Sequence, residues 1–408
     1  MVNNSKKKVL LVSQYFDPES FKGNDVAIEL QKRGYQVDVL TSIPNYPKGV
    51  FYDGYGFFKK RIEKREDGIK VYRCFTVPRG KKTRYWMVGL GYIAYYVFGS
   101  IWAFFLALFK KYDCVFVQQL SPAFGAAPGM VVARMQKIPM YTWVLDLWPS
   151  TIEYHVKGLP LKITNRFCRR MYSLSKKILI SSEGFRDYIM EFAGTNSEDI
   201  ILFPNWSLPV MGQTLKDIPM LPEGFKIMMA GNLSTTQIYD SIYNLMLKFK
   251  GDKRVQWVFL GNGSERDNLL KFIADNQMEE NVTALERVPF DYIPAYYNAV
   301  DAMFLTLKGN KQHLHMTIPA RFQSYIAAGK PIITMTGYGV KNLVKEIDCG
   351  YSFDADDVES TYNAIMQILD NPAAFAKKGE KGFIYFEKHY TLNNCIDHLE
   401  SIINQTNR

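Results

Sequence analysis

Lys308 and Arg321 carry the first chemical reading of the sequence. Lys308 follows an apolar run, Ala302–Thr306, and Arg321 opens a helical stretch just after Pro319. Proline suits the first turn of a helix. A cation there opposes the helix dipole, so Arg321 does not serve the helix. A diphosphate held between Lys308 and Arg321 would make both positions sensible; solvated surface cations are the bland alternative. Two strand-to-helix turns could cradle the same anion. They are Gly231-Asn232-Leu233 and Gly261-Asn262-Gly263, with Arg266 one turn into the helix after the second. Glycine lets backbone approach a ligand closely, and a helix start offers free N–H groups. Plain turn chemistry accounts for the same residues.

The first half offers further candidates. Ser13–Pro18 leads to Gly23 and Asn24 at a helix start, a second possible anion cradle. Asp146 stands at the tip of strand Tyr141–Leu145 and suits proton or hydroxyl chemistry, or caps the next helix. The loop Ile43–Pro47, with Asn45 and Tyr46, suits an acceptor sugar or a lipid headgroup, or is a packed turn. His313 and His315 are two apart and share a face only if that stretch is extended, so no metal site follows.

These residues need elements to hold them. Strand and helix patterns alternate through both halves, which implies parallel sheets covered on both faces. The first half has strands near 8–14, 36–41, 69–77, 115–119, 141–145, 177–181 and 200–203. Its helices fall near 25–33, 123–137, 160–175 and 183–193. Four prolines between 204 and 222 interrupt the pattern. It then restarts, with strands near 225–230, 255–260, 281–285, 302–306 and 331–335. The helices there fall near 236–249, 263–275, 291–298, 318–328 and 357–369. At 408 residues, two domains are expected. The reading gives a first domain over 1–205, a linker over 206–222, a second domain over 223–370, and helices over 371–408 that could cross back. The fold class is α/β, with two Rossmann-like doubly wound domains facing a cleft at the carboxyl ends of their strands.

Charge and hydropathy narrow the partners. The net charge is +10, with a surplus of 13 over residues 1–205 and a deficit of 3 over the rest. A polyanion is therefore expected to face the first half only. Tyr85–Phe109 is 25 residues without a charge, with Arg79, Lys81, Lys82 and Arg84 before it and Lys110 and Lys111 after. Its length would span a bilayer. The strands on either side belong to one sheet, so the chain must return to the same side. The preferred reading is a helix or shallow hairpin lying in the membrane interface. Nucleic acid is disfavoured, because the basic residues are dispersed and no recognition motif appears. The N-terminus shows no signal-peptide pattern, and five scattered cysteines argue for a reducing compartment.

Several segments together resemble the family-4 retaining glycosyltransferases of GT-B fold. They are Gln14–Phe16 with Asn24 and Asp25, Ile43–Pro47, Val144–Pro149, Phe203–Trp206, Gly231–Leu233 with Gln237, Thr317–Ile326, and Ala328–Pro331. Within that family the chain is similar to the bacterial branch that includes L-fucosamine transferases of capsule and O-antigen assembly. The resemblance implies transfer of a sugar, with an N-acetylated amino-deoxy sugar as the candidate, from a UDP-sugar with retained configuration and no metal or other cofactor. Gly231, Gln237 and Gly261 would lie near the nucleotide, and Lys308 and Arg321 would hold the diphosphate. The acceptor would be an undecaprenyl-diphosphate-linked saccharide, at the cytoplasmic face of the inner membrane. Where the wider family carries two glutamates eight positions apart, this chain has His315 and Gln323. Gln323 retains a donor and an acceptor for a ribose hydroxyl. Where the family often has a histidine before Asp146, this chain has Leu145. A UDP-sugar epimerase of the same fold and an inactive membrane scaffold are the rival readings.

Overall fold

The computed structural model describes residues 7–80, 84–309 and 311–405. Lys81 and Lys82 of the basic flank lie outside the described residues. The chain forms two compact units, Met1–Pro204 with Ile396–Arg408, and Asn205–Cys395.

Unit 1 is an eight-stranded sheet in the order β3-β4-β2-β1-β5-β6-β7-β8. The strands are β1 (Lys8–Val12), β2 (Gln36–Ser42), β3 (Ile62–Lys64), β4 (Lys70–Cys74), β5 (Cys114–Gln119), β6 (Met140–Val144), β7 (Lys177–Ile180) and β8 (Ile200–Leu202). All neighbours pair in parallel except β3 with β4. The central strands are apolar along their length because helices cover both faces, as parallel sheets require. The helices are α1 (Lys22–Lys32), α2 (Tyr85–Phe109), α3 (Ala127–Gln136), α4 (Leu159–Leu174) and α5 (Phe185–Ala193).

Helix α2 connects two parallel strands of this one sheet and has two unlike faces. Ala94, Tyr95, Ala103, Leu106 and Ala107 are buried at helical spacing. Gly99 lets α2 close on α3, since a Cβ there would sit 2.9 Å from Pro128 Cγ. The opposite face exposes Trp86, Ile93, Val97, Ile101, Phe105 and Phe109. It is the one helix among the described residues that is long and apolar enough to cross a membrane, with mean hydropathy 1.7.

Unit 2 is a six-stranded, wholly parallel sheet in the order β11-β10-β9-β12-β13-β14. The strands are β9 (Phe225–Ala230), β10 (Val255–Leu260), β11 (Val282–Leu285), β12 (Ala302–Thr306), β13 (Ile332–Met335) and β14 (Gly350–Phe353). The order reverses between β9 and β12, and ligands of doubly wound sheets bind outside the carboxyl ends of strands at such a reversal. The covering helices are α6 (Tyr239–Lys248), α7 (Arg266–Asp275), α8 (Ile293–Asn298), α9 (Gln312–Met316), α10 (Arg321–Ile326), α11 (Tyr338–Ile347), α12 (Val358–Asp370) and α13 (Pro372–His389). Asn371 starts α13 by accepting the Ala374 N–H at 3.2 Å, with Pro372 in the first turn. The last helix, α14 (Leu392–Gln405), belongs to unit 1 from Ile396 onward. There Glu400 accepts from Arg33 at 2.6 Å, and Lys7 Nζ donates to Ile403 O at 2.6 Å.

Several local expectations need correction. No helix follows Asp146 directly: the chain turns until α4 begins at Leu159, so Asp146 is not a helix cap. His313 and His315 need no correction: they lie in the helical turn α9, where residues two apart do not share a face. Helices α9 and α11 and strands β3 and β14 were not anticipated. Five residues of α9 and three of β3 are too few to show a period.

Candidate functional site

The carboxyl end of β9 runs into the loop 231–238, and the loop is held together by its own polar groups. Gln237, buried despite its polarity, accepts the Ser234 N–H at 2.7 Å and donates to Asn232 O at 3.1 Å. Asn232 O also accepts Nη2 of Arg321 at 3.1 Å. The second terminal nitrogen of that guanidinium, Nη1, is buried without a protein partner. Gly231 serves the backbone here, at a φ of 116°; a Cβ would make only ordinary contact with Arg321 Cζ, at 3.9 Å. Arg321 is therefore tethered at one nitrogen and unpartnered at another, beside the reversal between β9 and β12.

Lys308 reaches the same loop from the end of β12. Its N–H donates to Thr236 O at 2.9 Å, so loop and strand end are locked. Its side chain lines a cavity of about 600 Å³, within the range that small-molecule sites occupy. Gln237, Glu265, His315, Gly337 and Asp354 line it too. His315 is exposed, and its ring lies 6.1 Å from that of Tyr338. Lys308 forms no ion pair among the described residues.

The glycines of the second turn have a steric reason. A Cβ on Gly261 would fall 2.0 Å from Gly231 O, and one on Gly263 would fall 2.0 Å from Leu233 O. They let the two strand-end loops touch, and Leu233 N donates to Asn262 O at 3.1 Å. The side chain of Asn262 is exposed, while Arg266 stands 3.9 Å from Glu286 Oε1 and keeps one nitrogen buried and unpartnered. Gln323 does not meet its expectation. It is fully buried, and its amide donates to Pro319 O and Ala320 O at 3.2 and 3.1 Å, which holds its own turn and leaves no face for a ribose.

In unit 1, the residues read as an anion cradle mostly build loops. Gly23 packs against the Gln118 side chain, whose Oε1 would have to shift from the 2.3 Å at which it would meet a Cβ. Asn24 accepts from Asp17 N at 3.2 Å and donates to Glu19 O at 2.7 Å. Glu19, which the sequence did not single out, organises the loop Ile43–Pro47. Its Oε1 accepts the N–H groups of Asn45 at 2.8 Å and Tyr46 at 2.6 Å, while Oε2 is buried without a partner. Burial pushes this carboxyl up to about 7, against the pull of those backbone hydrogen bonds and of Arg73. Asn45 is buried and donates to Ile43 O at 3.1 Å, so it is part of the turn. Tyr46 is partly exposed, near the rings of Tyr15 and Phe21, with the Arg79 guanidinium 4.8 Å from its ring centre. Asp146 accepts the Ser121 N–H at 2.8 Å, and burial holds its carboxyl above the ordinary range.

Two family models match the chain. One, described as glycosyl transferases group 1, covers residues 215–383. The other, described as a glycosyl transferase 4-like domain, covers residues 24–206. Among characterised sequences, the chain is 22% identical over 363 residues to WcaI of Escherichia coli, described as a candidate colanic acid biosynthesis glycosyl transferase, covering 83% of this chain and 86% of that one. Among solved structures it is similar to a sucrose-phosphate synthase from Thermosynechococcus elongatus, with a TM-score of 0.73 at 13% identity over 98% of this chain and 99% of that one. HepE of Anabaena, solved with UDP, matches with a TM-score of 0.65 at 14% identity over 98% and 100% of the two chains.

Two outcomes test this geometry. Gly261→Ala must place its Cβ against the Gly231 carbonyl at a positive φ, so thermal unfolding should begin several degrees lower. An unchanged melting temperature would mean that the two loops do not touch. Glu19 gives a pH signature. Its folded value lies above the ordinary 4.5, so its stabilising share is whole below about 4.5 and is lost as pH rises through about 7. Wild type should lose up to about 3 kcal/mol across that window that Glu19→Gln does not lose. Parallel stability–pH curves for the two proteins would overturn this.

Proposed function

The chain belongs to the glycosyltransferases of family 4 with GT-B fold, and on that premise we propose that it moves a sugar from a UDP-sugar to a lipid-linked saccharide during surface polysaccharide assembly. One observation carries the donor reading. Arg321 keeps an unpartnered guanidinium nitrogen at the carboxyl end of β9, and Lys308 lines the cavity at the end of β12 without an ion pair among the described residues, although Glu265 and Asp354 share that lining. A nucleoside diphosphate answers that charge, because arginine's planar fork suits phosphate oxygens and lysine adds a point charge. The similar HepE structure with bound UDP supports uridine as the nucleoside.

The chemistry then rests on the leaving group. As the bond from the anomeric carbon to the diphosphate oxygen lengthens, negative charge gathers on the phosphates. Arg321 and Lys308 stabilise that charge more than they stabilise the ground state, which lowers the barrier. Gln237 contributes by holding Asn232 O where Arg321 is tethered. Departure and attack on one face of the sugar would retain configuration without a protein nucleophile. His315 in the cavity would face the sugar, in place of a carboxylate. Asp146, with its raised carboxyl, is assigned to the proton of the acceptor hydroxyl. An undecaprenyl-diphosphate-linked acceptor fits the basic first half and the outward apolar face of α2. That face would lie in the cytoplasmic leaflet of the inner membrane.

A thermal-shift comparison of UDP, GDP and ADP tests the donor first. UDP alone should stabilise the wild type, and the shift should vanish in Arg321→Ala. Turnover of that variant should fall about 100- to 1,000-fold, the loss expected for one donor to a developing charge. Full activity in Arg321→Ala would remove it from the mechanism. For the membrane, Ile101→Asp with Phe105→Asp places charge on the outward face only. The variant should leave the membrane fraction while keeping its UDP shift; persistence in the membrane after a high-salt wash would reject α2 as anchor.

A further inference from the structure

A cavity in unit 1 lies away from the donor-site residues and shares only its α2 edge with the outward apolar face. It is a groove of about 580 Å³ between α2, α3 and α4. Tyr96, Met130 and Phe167 form its apolar lining, and Arg134, Arg166 and Arg170 border it. All three arginines are exposed, and none forms an ion pair among the described residues. Arg166 and Arg170 stand one helical turn apart on α4, a spacing at which like charges repel. Lys162 extends the same stripe by another turn. No carboxylate occurs anywhere in α2, α3 or α4. A protein surface that only stayed in water would gain solubility and stability from mixed signs. This surface concentrates one sign around an apolar slot.

The occupant must match both features. A free polyanion such as nucleic acid would meet the arginines but has no use for an apolar lining. An apolar peptide would fill the lining and leave the arginines unanswered. The exposed side of α2 continues the apolar lining outward through Val97, which borders the groove and is itself exposed. We propose that the groove between α2, α3 and α4 binds an anionic phospholipid, its phosphate between Arg134, Arg166 and Arg170 and its acyl chain along Tyr96, Met130 and Phe167. This rests on the membrane-facing reading of α2. The groove adds a preference for lipid charge, which α2, lacking any charge, does not supply.

The test is co-sedimentation of the full chain with vesicles of phosphatidylcholine alone or with phosphatidylglycerol as a minor component. Wild type should bind both and favour the anionic vesicles. Each Arg→Gln change should cost about fivefold in binding to anionic vesicles, and R134Q/R166Q/R170Q together about 100-fold. Binding of the triple variant to neutral vesicles should be unchanged, as should its unfolding temperature and its UDP shift. Inorganic phosphate, at matched ionic strength against chloride, should not displace wild type from anionic vesicles. Equal binding of wild type and triple variant to anionic vesicles overturns the proposal. So does specific displacement by inorganic phosphate, which would make the groove a site for free anions. Failure of wild type to bind any vesicle would instead overturn the membrane reading beneath it, and the UDP shift would still report on the donor site.

Discussion

One carbonyl oxygen holds the candidate donor site together. Asn232 O accepts both Gln237 and Arg321, each at 3.1 Å. With one nitrogen tied there, the rigid guanidinium plane leaves Nη1 aimed in a set direction. The tether also explains a buried glutamine that would otherwise be costly. Gln237 spans the loop, with its carbonyl on Ser234 N and its amide on Asn232 O, so the loop cannot drift from the arginine. Gly261 and Gly263 then matter at second hand. They let the neighbouring loop lie against Gly231 and Leu233, which fixes the backbone that presents the Asn232 carbonyl. Preorganisation of this kind removes reorganisation from the moment when charge develops.

Unit 1 solves a similar problem with a carboxylate. Glu19 gathers the N–H groups of Asn45 and Tyr46, and Asn24 ties the loop that carries Glu19. The arrangement has a different electrostatic character. A carbonyl is neutral at every pH, whereas Glu19 is held near neutrality by burial. The aromatic patch of Tyr15, Phe21 and Tyr46, with Arg79 against it, rests on that loop. Its shape is thus linked to one protonation state in unit 1 and to none in unit 2.

The sequence made the alternation of strands and helices legible, because apolar runs in a parallel sheet are unbroken and their ends carry glycine, proline or polar turns. Lys308 and Arg321 were legible for a narrower reason: each stands where local structure gains nothing from a cation. Side-chain direction was not legible. Gln323 looked like a ligand and turns onto its own helix start, while Gln237, read as a nucleotide contact, lines the cavity and also staples its own loop. Both depend on which carbonyls come near, and spacing alone does not give that. Glu19 was invisible because its partners lie 26 and 27 residues away. The three arginines of the groove were invisible as a set for the same reason, since two helices from different crossovers bring them together.

Helix α2 closes the physical argument. A crossover helix in a doubly wound domain ordinarily buries one stripe and solvates the other. Here the buried stripe is present, with Tyr95 and Ala103 against the domain, so α2 is a genuine element of unit 1. The opposite stripe is equally apolar. Fully burying one large apolar side chain is worth about 1.5–3 kcal/mol. Ile93, Val97, Ile101, Phe104, Phe105 and Leu108 leave about half of that unrealised in water. An apolar phase outside the domain would recover it without any change in fold. That phase must also accept cations at its edge, because α4 and α3 bring arginines beside the helix and no carboxylates. A bilayer with anionic headgroups meets both conditions at once, apolar at the depth of α2 and negative at the level of the arginines.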